Sequence, residues 1–249
     1  MEISVVYEDK NLLVINKPSG IKVHADETVS ERAVTDWILE NYPKMKNIGP
    51  PIITQKGEKI PRPGVVHRLD KATSGLLVLA KDEETLFYLK NEFKKRKIEK
   101  TYNCFVRGIL RLEYGEINVP IGRSHKDFRR RSTLYKARGK MREALTLYKV
   151  LERSENREFS FLEVKPKTGR THQIRVHLKS ISHPIVCDPL YSLKAEMKEV
   201  KNGGVCPLGF ERLALHASSI SFTAPGGEHL KVESDLPDDF KIALEIMRK

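Results

Sequence analysis

The longest unbroken apolar stretch in this 249-residue chain is six residues, GLLVLA at 75–80, and that limit sorts the folds open to it. A membrane-spanning helix needs about 20 consecutive apolar residues, whereas a buried strand needs about 4–8. The chain instead carries many short β-branched bursts separated by polar turns. Hydrophobic residues make up 39% and charged residues 31%, a globular composition rather than a disordered or fibrous one. A chain of this length buries roughly 70–75% of its unfolded surface, so it needs no disulfide or metal staple. The N-terminus, MEISVVYEDK, has neither the basic segment nor the apolar stretch of a secretory leader. Three widely spaced cysteines (Cys104, Cys187, Cys206) with no CxxC pair are expected to be reduced, mostly structural thiols of a cytoplasmic protein.

One continuous domain over 1–249 is expected, since no repeat, low-complexity tract or Gly/Ser linker interrupts the chain. SVVYED and NLLVIN predict a hairpin-like opening, broken by KPSG. The spacing predicts helices over 32–42, from Asp82 onward (Leu86, Leu89 and Phe93 on one face), over 171–181, and in DDFKIALEIM. Residues 47–63, rich in Gly, Pro and Lys, predict a loop. GLLVLAKD, TYNCFVRG, GEINVPI, ALTLYKVLE, FSFLEVKP and LHASSISFTA predict strands. Strands in groups with few βαβ alternations imply an α+β class with a mostly antiparallel sheet.

The charge is concentrated. The net formal charge is +12; residues 122–142 carry +8 of it and residues 90–100 carry +4, so the rest of the chain sums to zero. Two basic segments fit a polyanion better than scattered solubilising lysines do, because nucleic-acid affinity scales with the phosphates neutralised. The bland reading of residues 90–100 is a solvated helix face.

Several chemistries lack their marks. There is no GxxxxGK[ST], GxGxxG, HExxH, GxSxG or CxxC. His172, His177 and Asp188 have poor spacing for a metal site, and hydrogen-bonded structural histidines are the simpler reading. Lys167-Thr168-Gly169 and the Ser19-x-x-Lys22 pattern resemble pieces of penicillin-recognising enzymes, but no Ser-Asp-Asn accompanies them. What remains is His67-Arg68-Leu69-Asp70-Lys71-Ala72-Thr73-Ser74-Gly75, a polar turn with one carboxylate entering a strand. Taken alone, it reads as a salt-bridged turn in which Arg68 and Lys71 keep Asp70 ionised.

Residues 67–75 resemble the HRLDxxTSG signature of the RluA-type RNA pseudouridine synthases. Further blocks are similar in the family's order: Asn16-Lys17-Pro18-Ser19-Gly20, Lys100-Thr101-Tyr102 with Gly108, residues 168–177 (TGRTHQIRVH), His183-Pro184-Ile185-Val186 with Asp188, and residues 213–217 (LALHA). Cys187 stands where the family usually has Gly. The resemblance implies the pseudouridine-synthase fold, a mixed, mostly antiparallel bent sheet flanked by helices and loops. It also implies a chain that begins on the catalytic domain without the accessory RNA-binding domain of many relatives.

The implied activity is redox-neutral isomerisation of uridine in RNA, with no cofactor and no metal. The N-glycosidic bond breaks, the base turns, and C5 joins C1′. Asp70 is implied as the essential carboxylate, attacking C1′ or C6 or removing the 2′ proton. Arg175 is its implied guanidinium partner, and Tyr102 the aromatic that stacks on uracil and helps remove the C5 proton. Arg68 is implied to fill the space of a flipped base. His67, Lys17, Lys167 and Arg170 are candidate RNA or pocket contacts, and Arg129, Arg130 and Arg131 candidate phosphate contacts. The expected partner is ribosomal RNA of the large subunit, with tRNA as the alternative. A monomer without membrane attachment is expected, and a non-catalytic RNA-binding or ribosome-assembly factor on the same fold is the competing reading.

Overall fold

A computed structural model describes residues 2–24, 31–53, 57, 59–133, 137–192 and 204–249. The chain divides into two compact units, Met1–Glu99 with Ser219–Ser234, and Lys100–Ser218 with Asp235–Lys249.

In the first unit β1 (Ser4–Glu8) and β2 (Leu12–Lys17) make the expected antiparallel hairpin. Asp9 closes its turn, with Oδ1 accepting the backbone N–H groups of Asn11 and Leu12 at 2.7 Å each. Residues 47–63 are not plain loop: β3 (Ile52–Ile53) and β4 (Lys59–Ile60) form a two-rung ladder, too short for periodicity to show. β5 (Ser74–Ala80) is buried along its whole length and pairs antiparallel with β2, Leu12 opposite Ala80 and Lys17 opposite Gly75. That register sets the end of β2 beside the start of β5, and so places the two family-like turns together.

Helix α1 covers Val34–Asn41 and α2 covers Glu83–Lys94. Asp82 caps α2, accepting the Thr85 N–H at 2.8 Å, while acidic residues fill the first turn and Lys94 the last, as the helix dipole favours. Leu12, Val14, Leu76, Val78 and Leu89 pack with Ile220, Phe222 and Val232 as the core.

The second unit holds β6 (Glu99–Arg107), β7 (Tyr114–Asn118), β8 (Ile121–Arg123), β9 (Arg131–Ser132), β10 (Arg138–Arg142), β11 (Leu145–Arg153) and β12 (Phe159–Pro166), then helix α3 (Gln173–Ser180). Antiparallel pairing runs in the order β6-β12-β11-β7. The strand β13 (Leu215–Thr223) contributes residues 215–218 to this unit and 219–223 to the first, where it pairs with β14 (His229–Glu233); helix α4 (Asp238–Met247) closes the chain. The fold is thus α+β on a mixed, mostly antiparallel sheet. Phe105 lies 4.6–5.4 Å from the rings of Phe161, Phe210 and Phe240, separations typical of favourable aromatic pairs. A further unexpected element is a small sheet, β10-β8-β9, inside the basic stretch. Its strands are short and full of arginine, so hydrophobic alternation could not reveal them. Among the described residues no helix is long and apolar enough to cross a membrane.

His216 of β13 is fully buried beside Phe240. Burial first, and the Arg212 charge second, push its pKa down to about 4. Burial likewise lowers His177. The unfolded chain therefore binds a proton at His216 near pH 6.5 that the folded protein refuses until about pH 4. Stability should fall across that window as pH drops, at about 1.4 kcal/mol per unit for this group. Urea denaturation between pH 4 and 7.5 is expected to show the slope, and His216→Gln to flatten it. An unchanged slope in the variant would assign the acid sensitivity elsewhere.

Candidate active site

The Asp70 loop is held in the first unit by backbone contacts from the turn after β2. The Gly20 N–H donates to the Lys71 carbonyl at 2.8 Å, and the Ser19 hydroxyl donates to the Ala72 carbonyl at 2.7 Å. Gly20 sits at φ +89°, a conformation that favours glycine. Lys17 is fully buried, and its ammonium donates to the carbonyls of Pro18 and Ile21 at 2.9 Å and of Lys71 at 3.3 Å. Of the two roles expected of Lys17, RNA contact or pocket contact, the first does not fit this geometry: a sealed ammonium bonded to carbonyls ties two turns together, and none of its surface reaches solvent. Leu69 is buried, Arg68 is exposed and Asp70 is half-buried, so the two polar side chains flank a residue anchored in the core. Asp70 itself closes a turn, its carbonyl accepting the Thr73 N–H at 3.1 Å.

His67 faces the protein. Its Nε2 accepts the Val78 N–H at 3.0 Å, and its ring stacks on Phe93 at 4.7 Å, so it braces the loop against β5 and α2 instead of offering Nε2 to RNA. Lys71 does not serve Asp70 as the sequence suggested: its ammonium pairs with Glu31 at 2.7 Å.

In the second unit Tyr102 lies half-buried on β6, opposite Val164. Lys100, two residues earlier, shares its face of the strand. Burial lowers the Lys100 pKa, and the nearby exposed Lys167 lowers it further. Arg175, in the first turn of α3, is only 3% exposed and grips the fully buried Asp188 in a two-pronged pair, Nε to Oδ2 and Nη2 to Oδ1, both at 2.8 Å. Asp188 Oδ1 also accepts the N–H groups of Leu190 and Tyr191 at 2.9 and 3.0 Å, and the Arg175 guanidinium lies over the Tyr191 ring.

Sequence reasoning missed this partnership, although both residues stood in family-like blocks. It also missed Gln173, whose buried amide is satisfied on both sides. Oε1 accepts the Thr168 hydroxyl and the Arg170 N–H, and Nε2 donates to the Leu145 carbonyl and the Thr146 hydroxyl. Such a network fixes the 168–173 turn ahead of α3. The histidines weighed as metal ligands are engaged in hydrogen bonds. His177 contacts the Thr146 hydroxyl and the Val119 carbonyl, and His172 contacts the Tyr191 hydroxyl.

The cysteine expectation is corrected. Cys187 and Cys206 form a disulfide with Cα atoms 5.6 Å apart, and only Cys104 is a free, buried thiol. Nineteen residues of separation hide in the sequence what the returning chain brings together. Cys187 has φ +56°, which explains why glycine is usual at that position: a side chain there costs about 1–2 kcal/mol of backbone strain.

The arginine run is split by its own aspartate. Asp127 takes Arg129 in a bidentate pair (Nη2 at 2.8 Å, Nε at 3.0 Å) and stands 3.5 Å from Arg130, which holds its carboxyl down at about 2. Arg131 instead lines a cavity of about 850 Å³ with Arg123, Lys140, Arg142 and Arg170. Arg170 is steadied there by Nε donating to the Glu143 carbonyl at 3.0 Å. Arg131→Gln is therefore expected to lower the salt slope of RNA binding by roughly 0.7–0.9 log units, and Arg129→Gln to change it little. Titrations at several salt concentrations check this, and equal slopes for both variants would refute the ranking.

A family model described as RNA pseudouridylate synthase matches residues 11–180. The chain is 37% identical over 243 residues to an uncharacterized RNA pseudouridine synthase of Aquifex aeolicus, covering 96% of this chain and 71% of that one. The chain belongs to the RNA pseudouridine synthase family. It is also 36% identical over 252 residues to the ribosomal large subunit pseudouridine synthase D of Pseudomonas aeruginosa, covering all of this chain and 73% of that one. Among solved structures it resembles the human RNA pseudouridylate synthase domain containing 4, with TM-score 0.72 and 27% identity over 98% of this chain and 92% of that one. As an RNA pseudouridine synthase it is an isomerase acting on RNA, and RluA-type membership agrees with the signature at residues 67–75.

Proposed function

We propose that this RNA pseudouridine synthase modifies large-subunit ribosomal RNA, and that Asp70 supplies the essential carboxylate. The observation that carries the reading is the Asp70 loop: a signature-bearing turn, pinned by Lys17, Ser19 and Gly20, that leaves the carboxylate half-buried at the head of β5. A carboxylate held in place serves catalysis because it costs no reorganisation when the glycosidic bond breaks. The bond between N1 and C1′ breaks, C5 bonds to C1′, C5 loses its proton and N1 gains one, so atoms and electrons balance without an outside oxidant. Tyr102 stacks on the uracil and its hydroxyl assists loss of the C5 proton, and Arg175 supports the charge of Asp70, roles carried by the matching family motifs. Exposed Arg68 takes the space of the extruded base, whose flipping costs a few kcal/mol. Arg131, Arg170 and Lys167 contact the RNA backbone.

The ribosomal target rests on the relatives named large subunit synthases in Pseudomonas aeruginosa, Zymomonas mobilis and Borreliella burgdorferi. Mapping pseudouridines in ribosomal and transfer RNA from cells with and without the gene tests it. Loss of one or more large-subunit sites is expected. A loss confined to tRNA would overturn the target, and no loss anywhere would overturn the activity.

A further inference from the structure

Phe128 is the one large apolar side chain on the turn between β8 and β9, and it is 88% exposed. A lone exposed phenylalanine is ordinary, but this one is presented by a built turn. The Arg129 N–H donates to Asp127 Oδ1 at 3.0 Å, the Arg130 N–H to the Asp127 carbonyl at 3.0 Å, the Ser124 N–H to the Arg130 carbonyl at 3.1 Å, and the Lys126 N–H to the Ser124 hydroxyl at 3.2 Å. The ring borders the cavity of about 850 Å³ whose charged lining is Arg123, Arg131, Lys140, Arg142 and Arg170, with no carboxylate among the described lining residues.

Two of those arginines are direct cross-strand partners, Arg123 of β8 opposite Arg131 of β9. Like charges directly opposite destabilise a strand pair, and no side chain of opposite charge stands among the described lining residues. A ligand that carries negative charge and presents a flat face would relieve the repulsion and cover the ring together.

We propose that this cavity is a second nucleotide subsite, in which an unstacked base of the RNA lies on Phe128 while its flanking phosphates sit among Arg123, Arg131 and Arg170. The inference rests on the RNA-modifying function and adds to it. The site grips a single-stranded nucleotide other than the target uridine, so preferred substrates carry an unpaired, bulged or looped base besides the modified one. Stacking suits any base, since each has a π-face, so the subsite reads unpairing rather than sequence.

The test uses the full chain and two probes, a dodecamer of riboadenylate and an abasic ribose-phosphate dodecamer of the same length. Neither contains uridine, so catalysis does not contribute. Phe128→Ala is expected to weaken binding of the adenylate probe by about 5–150-fold, the fold-change of one lost stacking contact, and to leave the abasic probe within twofold. Phe128→Trp should restore affinity, and its added indole fluorescence should be quenched by adenylate and not by the abasic chain. Equal loss on both probes, or loss on neither, overturns the proposal. Displacement of adenylate by polyglutamate with the same dependence on Phe128 would overturn the nucleic-acid assignment in favour of an acidic peptide. Pseudouridine formed by wild type in total RNA reports separately. Its absence would sink the catalytic reading alone, and its presence beside Phe128-independent binding would sink this one alone.

Discussion

Purified Asp70→Asn protein is expected to form no detectable pseudouridine while binding RNA within tenfold of wild type. The substitution keeps shape and removes charge. The bonds that hold the loop run through the backbone at Asp70, Lys71 and Ala72, so they survive the change and the protein stays folded. What disappears is the anion that each route to glycosidic cleavage requires. Turnover above about 1% of wild type would mean that the carboxylate supplies less than about 2.7 kcal/mol of the barrier reduction, too little for an essential group. Quantifying pseudouridine by mass spectrometry after single-turnover reaction decides it.

The second large effect belongs to Arg175, where a structural role and a catalytic role have to be separated. Arg175→Ala removes both prongs from Asp188 and leaves that buried carboxylate with the Leu190 and Tyr191 amides alone. Breaking a buried pair from one side costs about 3–5 kcal/mol, which for a chain of this size lowers Tm by about 6–20 °C. Replacing both partners by apolar residues, as in Arg175→Met with Asp188→Leu, is often near neutral and should recover most of the lost stability. Activity should not return, because Arg175 is also assigned to the charge of Asp70. A double variant that regains both stability and turnover would make Arg175 a packing residue only. Thermal melts beside single-turnover rates supply both readouts.

Asp70, Tyr102 and Arg175 could be singled out as candidates because short, spaced patterns survive being read in one dimension. The long strands and all four described helices were legible for a related reason: β5 and α2 carry their burial and capping signals within a dozen residues. What was hidden depends on contacts distant in sequence. Asp188 lies thirteen residues from Arg175, Cys206 nineteen from Cys187, and Lys71 fifty-four from Lys17. No local period encodes such pairs. In the basic stretch, nine cations read in sequence as one footprint, whereas the structure pairs Arg129 with Asp127 and folds the turn that presents Phe128.

The burial of Lys17 gives the protein an internal clock. Amine-reactive reagents label an ammonium only when it is reachable and deprotonated, and this one is fully covered and bound to three carbonyls. Exposed lysines such as Lys71 and Lys167 modify on the timescale of the reagent. Lys17 modifies on the timescale at which the turn after β2 lifts away from the Asp70 loop, a local opening whose free energy lies at or below that of global unfolding. Its labelling rate therefore times how long the Asp70 carboxylate stays seated between openings, on molecules that have never turned over a substrate.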